Sequence, residues 1–167
     1  MKIFLIILGI IASAFIIIQI FAFKSSGNNE TYPYKVIKKY KTFEIRTYNA
    51  ALFTSVKLNS NNYKNESSKG FSILAGYIFG GNDKKQKIAM TSPVTMSLED
   101  SMTMMFMVPK KLKKESLPQP DNSKIEFKEV PKKTVAAIRF GGWANDKKIK
   151  QYKQKLISAL KEKEIAY

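Results

Sequence analysis

The stretch from residue 70 to 95, GFSILAGYIFGGNDKKQKIAMTSPVT, constrains the fold of this chain more than any other part. It begins as the end of an amphipathic helix, and the pair Gly80–Gly81 ends that helix. A charged loop comes next, and then a strand that contains Pro93. Because proline cannot donate to a sheet ladder, this strand is expected at an edge or a bulge. The stretch therefore predicts a helix that leads through a tight turn into a sheet.

The rest of the chain predicts two similar halves. Alternating apolar residues indicate strands, and apolar residues three or four apart indicate helices. The predicted strands are 34–39, 42–48, 50–58, 86–98, 103–108, 123–130 and 134–140, and the predicted helices are 63–78 and a segment that begins near Asn145, a suitable N-cap. The order strand, turn, strand, helix occurs at 34–78 and again at 124–163. We expect an α+β domain, with an antiparallel sheet, two flanking helices and pseudo-symmetric halves.

The N-terminal segment is apolar enough to cross a membrane. Residues 3–23 have no charge, and only Ser13 and Gln19 among them are polar. About 20 apolar residues span a bilayer as a helix. A cleaved secretory signal is the alternative, but its apolar region is typically only about 7–15 residues long. We expect a single-pass membrane anchor at 1–23, a polar linker at 24–32 and one domain at 33–167.

Two opposing arguments bear on the side of the membrane. Positive charge next to a span favours the cytoplasm, and Lys24, Lys35, Lys38 and Lys39 come after this one. Large domains nevertheless translocate largely regardless of charge, and a single N-terminal anchor often exports the domain attached to it. We expect an exported domain, or a secreted or periplasmic one if the segment is cleaved.

The composition excludes several kinds of chemistry. The chain has no cysteine and no histidine. It therefore has no Cys/His zinc site, no histidine-dependent catalytic triad, no disulfide and no imidazole ligand for iron. Lysines and carboxylates form no convincing dyad in the sequence. We expect no catalytic residues, no protein-bound metal ion and no enzyme activity.

The charge of the chain is strongly positive and comes from lysine. The formal net charge is +16, and Arg46 and Arg139 are the only arginines. Proteins that read nucleic acids depend on arginine forks for bidentate base contacts. We therefore expect no nucleic-acid partner. Most lysines are expected on solvated faces, and the others on a basic surface that attracts anions.

A series of ordered motifs resembles one known family. The motifs are YKVI at 34–37, FEIR at 43–46, YIxGxN at 77–82, KIxMTxPV at 87–94, FxVP at 106–109, PxP at 118–120 and FGG at 140–142. Together they resemble the SOUL haem-binding protein family over about residues 34–163. The resemblance implies a distorted antiparallel β-barrel with two flanking helices, built from two βαββ repeats. It also implies tetrapyrrole binding without a known reaction.

The same resemblance implies a site and a cofactor. Haem or another porphyrin would lie, without a covalent bond, in a shallow apolar groove along the first helix. The matching positions here are Lys64, Ser68, Phe71, Ala75 and Ile78. Lysines near this groove would meet the propionates of the ring.

The chain departs from the family in two respects. Some members are thought to bind iron through a histidine after the FEIR segment, but Thr47 stands there in this chain. Binding without a protein ligand to the iron is therefore expected. The family also continues past the second helix with two more strands, so the resemblance implies a domain that is truncated at its C-terminus, with an unpaired sheet edge.

Simpler interpretations exist for several of these residues. Phe71 and Ile78 lie on a helical face that also suits core packing, and the methionine-rich region 90–107 suits core packing better than iron ligation. A phenolate ligand from Tyr48 or Tyr63 is a remote alternative.

A different ligand class is also compatible with the sequence. The alternative function is capture of a non-haem amphipathic small molecule, an anionic lipid or an acidic partner by the same barrel. Trp143, the only tryptophan, is expected to fix the start of the second helix against the sheet.

Overall fold

The computed structural model describes residues 9, 11–13, 15–17, 19, 29–58, 63–98 and 102–167, with the side chains of residues 64 and 65 outside the description. The chain divides into two compact units, Met1–Glu30 and Thr31–Tyr167. Between residues 9 and 19, the described residues of the first unit are helical. The membrane anchor predicted at 3–23 lies largely outside the described residues. In the part of the chain that the structure does describe, no helix combines the length and apolar character needed to cross a membrane.

The described residues from Glu30 onward form short antiparallel strands and two helices. The strands are β1 (Glu30–Thr31), β2 (Tyr34–Lys39), β3 (Glu44–Tyr48), β4 (Ala51–Lys57), β5 (Thr91–Ser92), β6 (Thr95–Ser97), β7 (Thr103–Met107), β8 (Ile125–Val130) and β9 (Lys133–Ala137). The helices are α1 (Tyr63–Ile78), a 3-10 turn (Lys114–Ser116) and α2 (Asp146–Glu162). The predicted α+β class is therefore confirmed.

A four-stranded sheet in the order β6-β7-β4-β8 holds the core. Alternate residues of a strand point to opposite faces, and β7 shows the consequence. Met104 and Phe106 lie in the cluster beneath α1, whereas Met107 packs on the other face with Tyr32 and Phe53. The core role predicted for the methionine-rich region is confirmed for Met104 and Met107, each only 3% exposed.

Helix α1 packs on β4 and β7. At Gly70, in the middle of α1, an added Cβ would lie 3.1 Å from a methyl carbon of Leu58, so a larger residue there would force the Leu58 side chain to shift. The helix ends at Ile78, and the turn after it contains Gly80, whose φ of +112° is in the region that favours glycine. The range predicted for α1 from the sequence is confirmed.

The other strands form smaller, open sheets. The order β2-β3-β9 forms a three-stranded sheet, and β1 pairs with β5. The distorted β-barrel implied by the family resemblance is therefore wrong for the described residues, whose sheets do not close on one another. Both halves of the chain place strands in both larger sheets, but α1 covers the four-stranded sheet, whereas α2 lies beside the end of β9. The pseudo-symmetry of the halves stays a prediction.

Two other expectations fail in the second unit. The strand predicted at 86–98 is broken: residues 85–90 are irregular, and the cis Ser92–Pro93 peptide separates β5 from β6. The predicted edge position near Pro93 is nevertheless confirmed, because β6 is an edge strand. Trp143 is 94% exposed and does not fix α2 against the sheet. The start of α2 is fixed instead by Asn145, whose side chain accepts a hydrogen bond from the Lys148 N–H.

Candidate ligand groove beside the second helix

Helix α2 is tethered at its start and covered little along its length. The backbone N–H of Tyr63, at the beginning of α1, donates to the Asp146 carboxylate at 3.1 Å. The ring of Phe140 stacks on Tyr152 with centroids 4.6 Å apart. Among the residues of α2, only Leu160 is fully buried. The apolar side of the helix is therefore only partly covered by the described residues.

An open groove of about 740 Å³ lies between α2 and the end of β9. This volume is within the range of about 300–1,000 Å³ that is usual for small-molecule sites. The lining residues are Thr42, Ile138, Arg139, Gln151, Tyr152, Gln154, Lys155, Ser158, Ala159 and Glu162. The groove is large enough for an extended planar ligand.

The groove has an apolar wall and a cationic rim. Ile138, Tyr152 and Ala159 are half-buried and supply the apolar surface. Arg139 and Lys155 are exposed, and Glu162 is the one acidic residue among the described residues that line the groove. The Lys155 ammonium lies 4.9 Å from the centroid of the Tyr152 ring, which holds this cation beside the apolar wall. Such a surface suits a flat ligand with carboxylates at one edge.

A second cavity of about 370 Å³ adjoins the groove and shares Thr42 and Arg139 with it. Its floor contains Arg46, which forms an ion pair with Glu44 and donates to the Tyr48 hydroxyl at 3.3 Å. The guanidinium also lies 4.4 Å from the centroid of the Tyr34 ring. Burial alone lowers the pKa of Arg46, but the bonds to Tyr48 and Glu44 outweigh it and the pKa is raised. Arg46 is therefore a permanent cation in a fixed orientation.

The structure separates the residues predicted for the site on α1. Ser68 and Phe71 are exposed on the same side of the helix, and the Phe71 ring meets Phe106 edge-on at 5.4 Å. Ala75 and Ile78 are only 8% and 4% exposed and lie in the core. Lys64 belongs to the first turn of α1, and its side chain is outside the described residues. The site predicted on α1 stays a prediction, with Ser68 and Phe71 as its surface residues.

Between α1 and the described residues of the four-stranded sheet there is no room for a ring. The cavity next to Tyr77, Ile78 and Phe106 has a volume of about 10 Å³, about the space of a single water molecule. Two residues of the YIxGxN motif have partners within the protein. Tyr77 donates its hydroxyl to the Pro118 carbonyl at 2.9 Å, and the completely buried Asn82 donates to the Tyr77 carbonyl.

Ligands for iron are scarce in this chain. The sequence contains no histidine or cysteine, and none of the residues that line the groove is a methionine. Tyr48, one of the remote candidates, already accepts from Arg46. Within the described ranges, no cluster of three acidic side chains is arranged to hold a metal ion. The donor set therefore fits the ring and carboxylates of a porphyrin, but offers no histidine or cysteine to its metal.

Sequence reasoning missed the residues of the α2 groove. A signal for them is present, since Tyr152, Lys155, Ala159 and Glu162 are spaced three, four and three apart and so share one helical face. The apolar periodicity of α2 alone predicts only a stripe that faces the core, with lysines on the opposite face of the helix. Whether the flank of such a stripe is covered depends on distant parts of the chain.

Comparison with known proteins gives consistent similarities. The sequence model of the SOUL heme-binding protein family matches residues 29–167. Heme-binding protein 2 of Mus musculus is 28% identical over 129 residues, which cover 72% of this chain and 62% of the mouse protein. Heme-binding protein 2 of Homo sapiens is 29% identical with the same coverage. Heme-binding protein 1 of Xenopus laevis is 25% identical over 126 residues, covering 71% of this chain and 66% of that protein. The chain thus spans less than two thirds of the length of both heme-binding protein 2 relatives.

Proposed function

Because the chain belongs to the SOUL heme-binding protein family, we propose that it binds haem or another porphyrin and is not an enzyme. The observation that supports this proposal is the open groove of about 740 Å³ beside α2, with its apolar wall and cationic rim. The lack of histidine and cysteine supports binding over catalysis.

The ring would lie against the apolar wall, and its carboxylates would lie at the rim. Ile138, Tyr152 and Ala159 offer a surface for the flat face of a porphyrin. Arg139 and Lys155 are the cations closest to that surface. Because both are exposed, each ion pair contributes no more than about 1 kcal/mol. Most of the affinity would therefore come from apolar contact, and binding would be weak.

Iron would contribute little to this binding. A porphyrin held by apolar contact and by its carboxylates is recognised without its metal. Bound haem iron would keep its own redox chemistry, while the side chains of the groove hold and orient the ring.

The location of the site is tested with two truncated aromatic residues. Protoporphyrin is titrated into the full chain in neutral detergent, and Tyr152→Ala is compared with Phe71→Ala. Loss of the Tyr152 ring is expected to weaken binding roughly tenfold, since an aromatic contact contributes up to about 1.5 kcal/mol. Phe71→Ala is expected to leave the affinity unchanged. The reverse pattern would place the ring on α1, at the site predicted from the sequence.

A matched variant controls for the charge of α2. Lys150 is exposed on α2 and does not line the groove, so Lys150→Gln is expected to bind porphyrin like the wild type. An equal loss in Lys150→Gln and Lys155→Gln would mean that general positive charge, and not the rim of the groove, attracts the ligand.

The second candidate function is binding to an anionic lipid surface. The observation that favours it is Trp143, 94% exposed and next to the lysine-rich helix α2. Tryptophan and lysine together are typical of segments that lie at a membrane interface. A blue shift of Trp143 fluorescence with anionic vesicles, absent with zwitterionic ones, would support this function. A porphyrin titration without saturation would support it further.

We also propose that residues 3–23 anchor the chain in a membrane, with the domain on the exported side. The apolar character of this segment supports the anchor. Removal of 3–23 is expected to move the chain from the carbonate-resistant membrane fraction to the soluble fraction. Since the chain has no cysteine, the variant Ser123→Cys adds a unique thiol, which an impermeant maleimide labels in intact cells only if the domain is exported.

A further inference from the structure

Both arginines of the chain line the same cavity. Arg46 and Arg139 lie around the cavity of about 370 Å³ next to the three-stranded sheet, together with Lys39 and Lys41. Every other cationic side chain of this lysine-rich sequence is a lysine. Among the described residues that line the cavity, Glu44 is the one acidic residue, and it is paired with Arg46. The cavity therefore has a clear excess of positive charge.

The two arginines have different surroundings. Arg46 is held by Glu44, by the Tyr48 hydroxyl and by the ring of Tyr34, and only 15% of its side chain is exposed. Arg139 is exposed at the junction of the cavity and the groove. Among the described residues, Arg139 has no ion pair with a carboxylate. One guanidinium is thus fixed by the fold, and the other has its fork of donors available.

We propose that this cavity is a binding site for a planar or tetrahedral oxyanion, a carboxylate or a phosphate. A guanidinium offers paired N–H donors that match two oxygens of such a group, whereas an ammonium acts only as a point charge. Arg139 donates the fork, Arg46 provides a fixed positive charge on the floor, and Lys39 and Lys41 complete the cationic rim. The choice of arginine at these two positions, in a chain that otherwise uses lysine, supports recognition by geometry in addition to charge.

The oxyanion has two chemical sources. It is either a carboxylate of a ring in the adjoining α2 groove, which shares Arg139 and Thr42 with the cavity, or a small free oxyanion such as phosphate. The site itself depends on neither source, and it does not require that the chain bind a porphyrin.

The site is tested by the side-chain N–H signals of arginine. Because the chain has only two arginines, a ¹⁵N correlation spectrum of the full chain in neutral detergent contains two Nε–H signals, and Arg139→Lys assigns them by removing one. Inorganic phosphate is titrated at near-neutral pH, with sodium chloride at equal ionic strength as the reference. Both signals are expected to shift with phosphate until they saturate, and to respond little to chloride.

The variants separate geometry from charge. Arg139→Lys keeps the charge and removes the fork, and the Arg46 signal is then expected to need roughly tenfold more phosphate for its half-maximal shift. Lys150→Gln removes a charge elsewhere on the surface and is expected to leave the titration unchanged. Shifts that do not saturate, an equal response to chloride, or the same midpoint in Arg139→Lys would each overturn the proposal.

A second arm identifies the source of the oxyanion. Saturating protoporphyrin is expected to abolish the phosphate response if a ring carboxylate occupies the site, whereas the dimethyl ester of protoporphyrin would leave that response intact. A response that persists with the free acid identifies a small free oxyanion as the ligand. If no porphyrin binds at all, the proposed function fails, while a saturable phosphate response still supports the oxyanion site.

Discussion

Substitution of Asn82 tests the turn that joins α1 to the sheet. The Asn82 side chain is completely buried. Its amide donates to the carbonyls of Tyr77 at 3.1 Å and Gln86 at 2.8 Å, and its oxygen accepts from the Gln86 N–H at 3.0 Å. Asn82→Ala removes all three hydrogen bonds and leaves backbone groups without these partners. The asparagine of the motif YIxGxN is thus explained by a buried turn.

The expected loss is derived from these three bonds. A typical intramolecular hydrogen bond contributes about 1 kcal/mol to stability, which gives an upper value of about 3 kcal/mol. Two factors reduce this value. The Tyr77 carbonyl still accepts a hydrogen bond from the Gly80 N–H at 3.2 Å, and Gln86 is at the surface, where water can bond to its backbone groups. We expect Asn82→Ala to lower the free energy of unfolding by about 2 kcal/mol, a large part of the roughly 5–15 kcal/mol of a typical domain.

The measurement is urea denaturation of the full chain in neutral detergent, monitored by far-UV circular dichroism. Trp143 fluorescence is unsuitable because that side chain is already exposed in the folded state. Asn122→Ala is the matched control, since the Asn122 side chain is exposed and accepts a single bond, from the Lys124 N–H. Its expected cost is below about 0.5 kcal/mol. Equal costs for the two variants would refute the structural role of Asn82.

Four other substitutions test three separate features. Burial, with a smaller contribution from the charge of Asp83, raises the pKa of Tyr77 to about 12. The pKa of Tyr77 is higher in the folded than in the unfolded chain, so its burial stabilises the fold only while the phenol is protonated. The stability of the wild type relative to Tyr77→Phe should therefore be constant below about pH 10 and fall by roughly 2 kcal/mol by about pH 12. Urea denaturation across that pH range measures the change. Asn145→Ala should cost about 1 kcal/mol in the same assay through loss of the α2 cap, and an unchanged midpoint would contradict the cap. Gly81→Ala should destabilise the fold because its Cβ would lie 2.8 Å from the Gly76 carbonyl oxygen. Gly76→Ala should stabilise it by about 1 kcal/mol, because the space around Gly76 is open and alanine favours a helix. Effects of the same sign would be inconsistent with this packing.

The helices could be predicted from the sequence because their signals are local. The apolar spacing before Gly80 defined α1, and Asn145 defined the start of α2. Capping and 3.6-residue periodicity depend on residues within one or two turns, so the surrounding fold changes them little.

Strand pairing and burial could not be predicted in the same way. The segment 86–98 contains strand-forming residues, but only β5 and β6 find partners, and the residues before them continue from the Asn82 turn instead. Trp143 is an aromatic residue three positions after Phe140 in the sequence, yet of the two only Phe140 stacks on a residue of α2. In each case the outcome depends on distant segments that pattern alone does not place.

The chemistry of the α2 groove was predicted but its place in the fold was not, and the site predicted on α1 stays a prediction. A surface that combines apolar contact with cations was expected, but on α1, where Ala75 and Ile78 are in the core. The groove beside α2 results from the incomplete cover of one helix flank, and the arginine cavity results from the pairing of β3 with β9, which brings the two arginines together.

The central claim is that the chain holds a porphyrin by its ring and carboxylates, without a protein ligand to the metal. The most direct test is the ratio of the dissociation constants of metal-free protoporphyrin and hemin, measured with the full chain in neutral detergent by absorbance and Trp143 quenching. Both rings are expected to saturate the chain, with affinities equal within about twofold, and both should be weakened by Tyr152→Ala. Saturable binding of hemin alone would contradict the claim and indicate a protein ligand to the iron. That ligand would be Tyr152 if Tyr152→Ala abolishes the binding, and a residue outside the groove if it does not.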